Sequence, residues 1–317
     1  MKFLSIPDDF APLSEAVIYT ILPEDDGPVT EVTVKELSDN RTVARLRFAQ
    51  REIITLDIAP FLRRIFDVQP ALCAGSQPLY DTSRTKIIVV EANGTASDAR
   101  IFSLFASDGL PRLITTAPAE RTLGTGEFDD AAFFAPDGGN IFLVSDSGNR
   151  TIPLERRYEA GIVRISESDI HPDDDSATLI FSSAGRTQEL LYRRTLRPRD
   201  SVRVAWLSAS GAVEYYTFMR QKHTITVDKN RFYGSQGYQT VSADKESLLD
   251  IVSDYEPRHA IESLEEIVSS PRVWIVNGGL FTEADVLSSQ TVHRFDNGSL
   301  NSVSLRIRTR KRGEESL

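Results

Sequence analysis

The sequence predicts a mainly β protein: several β-sandwich-like domains with one substantial helix in the C-terminal domain. Three observations lead there. Short runs of alternating apolar and polar residues recur through the chain, the period of a half-buried strand. Gly, Pro, Asn and Asp clusters separate them at the spacing of a sandwich. One stretch alone, 256–269, carries a convincing apolar stripe at helical spacing.

In chain order, AVIYTI, VTEVTVKEL, TVARLRFA and REIITLDI read as strands, parted by Pro23–Pro28 and Ser38-Asp39-Asn40. In TVARLRFA, Ala44, Leu46 and Phe48 alternate with Arg45 and Arg47, giving one buried and one wet face. PFLRRIF reads as a single helical turn opened by Pro60. These elements make an N-terminal β domain over 1–75. A second β segment, 76–165, either completes the first domain or is inserted in it. It holds KIIVVEA, ARIFSLFAS, an exposed loop over 107–127, a hairpin in AAFFAPDGGNIFLVSD and the strand GIVRISE. The turn HPDDDS marks a boundary, and 166–317 forms the C-terminal β domain.

The most informative segment is Ser201–Phe218, a hairpin. Val202, Val204 and Trp206 share one strand face, Gly211 supplies a turn residue tolerant of positive φ, and Tyr215, Tyr216 and Phe218 return in the second strand. Trp206 and Gly211 are the expected structural anchors. HTITVDK follows as a strand, NRFYGSQGYQT reads as a long loop, and 246–254 as an ambiguous strand. In the helix, Ile261, Leu264, Ile267 and Val268 form the stripe, Pro257 fits the first turn and Pro271 ends it. RVWIV and the closing strand SVSLRIRTR complete the chain, with Lys311–Leu317 expected as a mobile tail.

The totals bound the function. The chain has 317 residues, room for roughly two or three domains. Hydrophobic content of 40% supports a core, and a formal net charge of −10 argues against general nucleic-acid binding. The single cysteine, Cys73, excludes an intrachain disulfide and reads as a small core residue. The start lacks the apolar run of a signal peptide, and no stretch is long enough to span a bilayer. The expected place is the cytoplasm when synthesised, or a particle assembled there.

Chemical signatures are sparse. No phosphate-binding lysine loop, dinucleotide fingerprint or nucleophile elbow occurs, and the four histidines lack the close spacing of a zinc site. The run Asp173-Asp174-Asp175 lacks the alternating ligand spacing of a calcium loop and reads as a solvated turn. No catalytic residue, cofactor or metal is therefore expected. The candidate assembly or ligand surface comprises Tyr215, Tyr216, Phe232, Tyr233, Tyr238, Arg306 and Arg308. The basic end, including Arg310, Lys311 and Arg312, offers an acidic-partner contact or a polar outer face that blunts edge pairing. Glu262, Glu265 and Glu266 on the helix would pair with Arg306 and Arg308 between copies.

Several pieces recur together in one family. They are the hairpin AWLSASGAVEYYTF, a helix running into ESLEEIVSSPRVWIV, the closing LNSVSLRIRTR, and the opening PLSEAVIYTI with ITLDIAPFLRRIF. In this the chain resembles structural tail proteins of phages and prophages of Bacteroides-type bacteria. Ser208 stands where asparagine is usual, Ala212 replaces a glycine and Glu214 an aspartate, and 67–165 carries no match. The resemblance implies a non-enzymatic structural component of a tail tip or baseplate, with other tail proteins as partners, a homo-oligomer as one form, and a virion or tail-like particle as its place. Two alternatives stand beside it: a carbohydrate- or cell-surface-binding module using NRFYGSQGYQ and the nearby aromatics, and a polysaccharide-acting hydrolase, which would need two carboxylates across a cleft.

Overall fold

The computed structural model describes the chain apart from residues 12, 14, 25, 26, 50, 51, 72–76, 105–108, 198, 236, 289–300 and 310–317. Cys73, Arg310, Lys311, Arg312 and the Lys311–Leu317 tail lie outside the described residues. The chain is mostly β, in two sandwiches and a closed barrel.

In the first sandwich, the antiparallel strands Lys2–Ser5, Ile18–Leu22 and Ile54–Asp57 form one sheet. Arg41–Ala49, Val29–Glu36, Thr85–Ala92, Thr95–Ala96 and Arg100–Ser103 form the other. Period-two alternation puts Val32, Val34, Ile88 and Val90 inward against Tyr19, Ile21 and Leu56 of the facing sheet. Leu46 and Phe48 lean on the same core, while Arg45 and Arg47 turn out to Glu31. The expected helical turn is Ala59–Leu62, with Pro60 in its opening positions and Leu62 buried.

The second sandwich packs a four-stranded sheet (Arg112–Ile114, Phe128–Phe134, Ala160–Ser166, Leu79–Asp81) on a five-stranded one (Glu120–Gly124, Arg186–Thr195, Ser176–Ser183, Gly139–Ser145, Gly148–Leu154). Three expectations change here. The stretch 107–127 is not simply an exposed loop: it contains Arg112–Ile114 and Glu120–Gly124, with Leu113 and Leu123 buried. Glu120–Gly124 pairs parallel to Arg186–Thr195, a contact between distant segments that local alternation cannot reveal. Nor is AAFFAPDGGNIFLVSD a hairpin, since its two strands lie in different sheets. Turn chemistry reverses the chain but does not decide which edge the next strand joins. Finally, Ser176–Ser183 and Arg186–Thr195, expected beyond the boundary at 171–176, belong to this sandwich. Gly161 is required by packing: a Cβ there would overlap the Phe133 ring across the strand pair.

The barrel has six antiparallel strands in the order Ser201–Leu207, Val213–Gly234, Gly237–Val252, Ser304–Thr309, Leu280–Val286, Val273–Asn277, the last closing on the first. Val204, Trp206, Phe218, Ile251 and Ile307 face its interior and meet Ile261, Leu264 and Ile267 of the helix Arg258–Ser269. The helix starts one residue after Pro257, whose extended backbone and carbonyl open it by accepting the Ala260 and Ile261 N–H groups. Trp206 is 1% exposed, and Gly211 has φ 83° in the tight turn, as its anchor role requires.

The two longest strands leave the barrel together. Beyond Met219 and Ser247 they pair, among the described residues, only with each other, from Thr226 opposite Glu246 to Gly234 opposite Gly237. About 30 Å of two-stranded ribbon results. The expected loop NRFYGSQGYQT is thus the end of this ribbon. HTITVDK, read as a strand from its alternation, is the part of one ribbon strand that leads into this tip, whose own glycines and polar residues carry no such alternation. No helix among the described residues is long and apolar enough to cross a membrane.

Candidate functional site

Three features stand out: a buried ionic junction between the second sandwich and the barrel, a cavity beside it, and the ribbon tip. The junction begins with charged residues placed inside apolar strands. Asp129 and Asp130 lie in Phe128–Phe134, Arg164 in Ala160–Ser166, Arg203 in Ser201–Leu207 and Glu214 in Val213–Gly234. Burying such groups is tolerable only if they are paired and hydrogen-bonded.

They are. Arg121 reaches Asp129 at 2.5 Å and Glu214 at 3.2 Å. Tyr192 donates to Asp129 at 3.1 Å, and the Thr116 N–H donates to Glu214 at 3.2 Å. Arg164 holds Asp130 through two bonds of 2.7 and 2.9 Å and lies over the Phe128 ring, while Tyr215 donates to the same carboxylate. Arg203 reaches Glu127 at 3.1 Å and the Phe128 carbonyl at 2.6 Å, and Thr217 donates to Glu127 at 2.8 Å. Most of these bonds cross from sandwich to barrel, so the network fixes the register of the two bodies. Burial pushes the Glu214 carboxyl above its ordinary range, with Arg121 opposing and Asp129 adding to the rise. Burial likewise raises the phenols of Tyr192 and Tyr215.

The cavity, of about 290 Å³, lies at the barrel mouth between the first turn of the helix and the sandwich strand Glu120–Gly124. Trp206, Tyr216, Glu256, His259 and Ser263 are among its lining. Tyr216 donates to Glu256 at 2.7 Å and accepts the Asp254 N–H at 3.2 Å, and burial raises its phenol. Three lining residues carry buried polar atoms with no partner among the described residues: Arg203 Nε, Trp206 Nε1 and Ser263 Oγ. Each such atom costs about 1–3 kcal/mol.

The ribbon tip presents Phe232, Tyr233 and Tyr238 at 50%, 75% and 75% exposure. The two tyrosine rings meet edge to face, 5.1 Å between centroids. Ile225, Val227 and Val241 are exposed along the same ribbon.

The structure divides the expected surface residues. Phe232, Tyr233 and Tyr238 come together at the tip. Tyr215 is buried at the junction, not on a surface, because it faces the second sandwich. Tyr216, one residue on, points the other way and lines the cavity. Arg306 pairs with Asp250, and Arg308 with Glu246 and Asp285, all within the chain at the ribbon root. Of the helix acids, Glu262 pairs with Arg258, and Glu266 accepts from Thr116 and the Ala209 N–H. The complementary faces proposed to meet between copies are therefore largely occupied within one copy. Asp174 of the acidic run accepts the Ser147 N–H and hydroxyl and pins the turn. Sequence reading missed Arg121, Glu127, Asp129, Asp130, Arg164 and Arg203. For Asp129, Asp130, Arg164 and Arg203 the signal was a charge inside an apolar strand, as in FDDAAFF and GIVRIS; Arg121 and Glu127 carried none.

No protein-family model matches the chain, and no curated protein matches it. Among solved structures, the chain is similar to a complex of Dpr2 Ig1-Ig2 with DIP-Theta Ig1-Ig3, at 10% identity and a TM-score of 0.20, covering 62% of this chain and 99% of that one. It is also similar to the Bacteroides ovatus mixed-linkage glucan utilization locus protein SGBP-B, in complex with a mixed-linkage heptasaccharide. That match has 12% identity and a TM-score of 0.18, and covers 93% of this chain and 73% of that one. At these TM-scores neither likeness bears on function.

Proposed function

We propose that the chain is a non-enzymatic binding protein that docks on a protein partner through the projecting ribbon. One observation carries the reading: a two-stranded ribbon that exposes Val227, Phe232, Tyr233, Tyr238 and Val241, with Ile225 exposed at its root, and that beyond Thr226 and Glu246 has neither edge joined to a third strand among the described residues. A lone two-stranded ribbon is marginal in water. Its free edges are templates for strand addition, and its apolar side chains gain most from a partner that covers them. Protein fits better than sugar at this tip. The tyrosines sit edge to face on a convex end, where a sugar would want a concave floor. Assembly into a tail tip or baseplate is the form this reading takes under the resemblance noted above.

The test mixes the full-length protein with itself and with the products of neighbouring genes, and follows complexes by sedimentation. A complex lost in the Tyr233→Ala, Tyr238→Ala double variant supports the reading. Absence of any complex, with the tip binding a polysaccharide panel instead, would replace it with glycan binding. A second reading, carbohydrate binding, is favoured by a different feature, the cavity at the barrel mouth.

A further inference from the structure

We infer that the cavity between the helix start and the sandwich strand Glu120–Gly124 binds a single neutral, hydroxyl-rich ring, a saccharide residue. The inference deepens the second reading above and is independent of the ribbon. Size is the first reason. About 290 Å³ lies at the small end of ligand pockets, which run roughly 300–1,000 Å³. One sugar ring suits that space better than an extended chain.

Polarity is the second reason. Arg203 Nε, Trp206 Nε1 and Ser263 Oγ are donors without partners among the described residues, all from residues lining this one cavity. Their parent residues are 4%, 1% and 4% exposed. All three atoms are closed off from the cavity space as it stands, so a ligand meets them only where the lining side chains shift, and a shift that opened them would call for acceptor oxygens. At the mouth stand acceptors instead: the Glu256 carboxylate, which takes one bond from Tyr216, and Glu120, which pairs with Arg193. A group that both accepts and donates satisfies both ends, and a hydroxyl is that group.

Charge is the third reason. A helix start favours an anion, but Glu256 and Glu120 share this mouth. The guanidinium of Arg121 is already taken by Asp129 and Glu214, and that of Arg203 by Glu127. No guanidinium of the cavity lining is left over for a phosphate or carboxylate, and His259 is the remaining lining side chain that could meet an anion, which the acetate probe tests. A ligand cation, for its part, would leave the Arg203 and Trp206 N–H donors unmet. The half-buried Tyr216 ring and Leu264 add the apolar surface against which the C–H face of a sugar lies.

The experiment titrates the full chain with the methyl glycosides of glucose, galactose, mannose and N-acetylglucosamine. Saturation-transfer NMR and tryptophan emission report binding, and sodium acetate and methylammonium chloride serve as charged probes. At least one glycoside should bind with Kd of about 1 mM, as expected for so small a ligand. Glu256→Ala should weaken it about tenfold, and Lys35→Ala in the first sandwich should leave it unchanged. If Glu256→Ala does not fold, Glu256→Gln is read in its place, with a smaller loss in the same direction. The inference is overturned if no glycoside binds, if either charged probe binds in their stead, or if glycoside binding is indifferent to both Glu256 variants. None of these outcomes bears on the ribbon, whose test uses different residues and a protein partner.

Discussion

The strand Val213–Gly234 begins in one environment and ends in its opposite. At its root, Glu214 and Tyr215 are buried in a network where carboxylates, guanidiniums and phenols meet at hydrogen-bonding distance. At its tip, Phe232 and Tyr233 stand in water with one neighbouring strand for support. The same secondary structure serves two ends. At the root, side-chain chemistry is spent inside the molecule and fixes domain register. At the tip it is left unspent, and an unspent apolar surface is what a partner can use. Charge alone does not identify a contact surface: the charged residues at the root belong to the interior, and the tip is marked by aromatics.

That contrast predicts graded responses. Arg121→Met should be the most damaging change, because it leaves Asp129 and Glu214 buried without their cation. A loss of about 3–5 kcal/mol in urea denaturation is expected. Replacing all three by apolar residues of similar volume should recover much of it, which would show that the network contributes register more than stability. Trp206→Ala should cost a similar, about 3–5 kcal/mol, from the barrel core. An unchanged melting temperature would mean that the indole is a ligand platform and not a packing element.

A pH series separates Glu214 from its neighbours. Its folded carboxyl holds a proton more tightly than the unfolded chain does, because burial raises it. Its contribution is therefore full below the ordinary carboxyl range and is lost as pH rises through the folded value. Glu214→Gln should lack this fall, so its stability relative to the parent should improve from acid toward neutral pH. A difference that is flat with pH would show that the carboxyl holds its proton no more tightly in the folded chain than in the unfolded one. At the far end, Tyr233→Ala with Tyr238→Ala should change stability by no more than about 0.5 kcal/mol while removing partner binding. A large drop in melting temperature would mean that the tip packs on the body of the protein.

The sequence made the barrel hairpin legible because Val202, Val204 and Trp206 alternate and Gly211 marks the turn, and local pattern suffices for both. The helix was legible for the same reason, through its stripe of Ile261, Leu264 and Ile267. Pairings between distant segments were not. Glu120–Gly124 alongside Arg186–Thr195, and the sheet change after Phe134, depend on partners that no window contains. The first part of the ribbon was legible, because HTITVDK alternates; its tip, NRFYGSQGYQT, was read as a loop, because its glycines and polar residues carry no apolar alternation. Of the candidate surface, Phe232, Tyr233 and Tyr238 were readable as exposed aromatics near a glycine turn. Tyr215 and Tyr216 are adjacent and face opposite ways, and sequence gives no way to choose which of them is buried.

The path of the chain between the two sandwiches has a mechanical consequence. It leaves the first after the turn Ala59–Leu62 and Ile65, places Leu79–Asp81 in the second, returns for Thr85–Ala92 and Arg100–Ser103, and then crosses again. Bodies joined by one tether can swivel; bodies laced by repeated crossings cannot twist without tearing a strand from a sheet. During synthesis, Val29–Glu36 must wait for Thr85–Ala92 to emerge before its inner edge is covered, and Leu79–Asp81 must wait for Ala160–Ser166. A chain cut at residue 75 would therefore carry an open edge, with Val32 and Val34 beside it, and should aggregate where the intact protein does not.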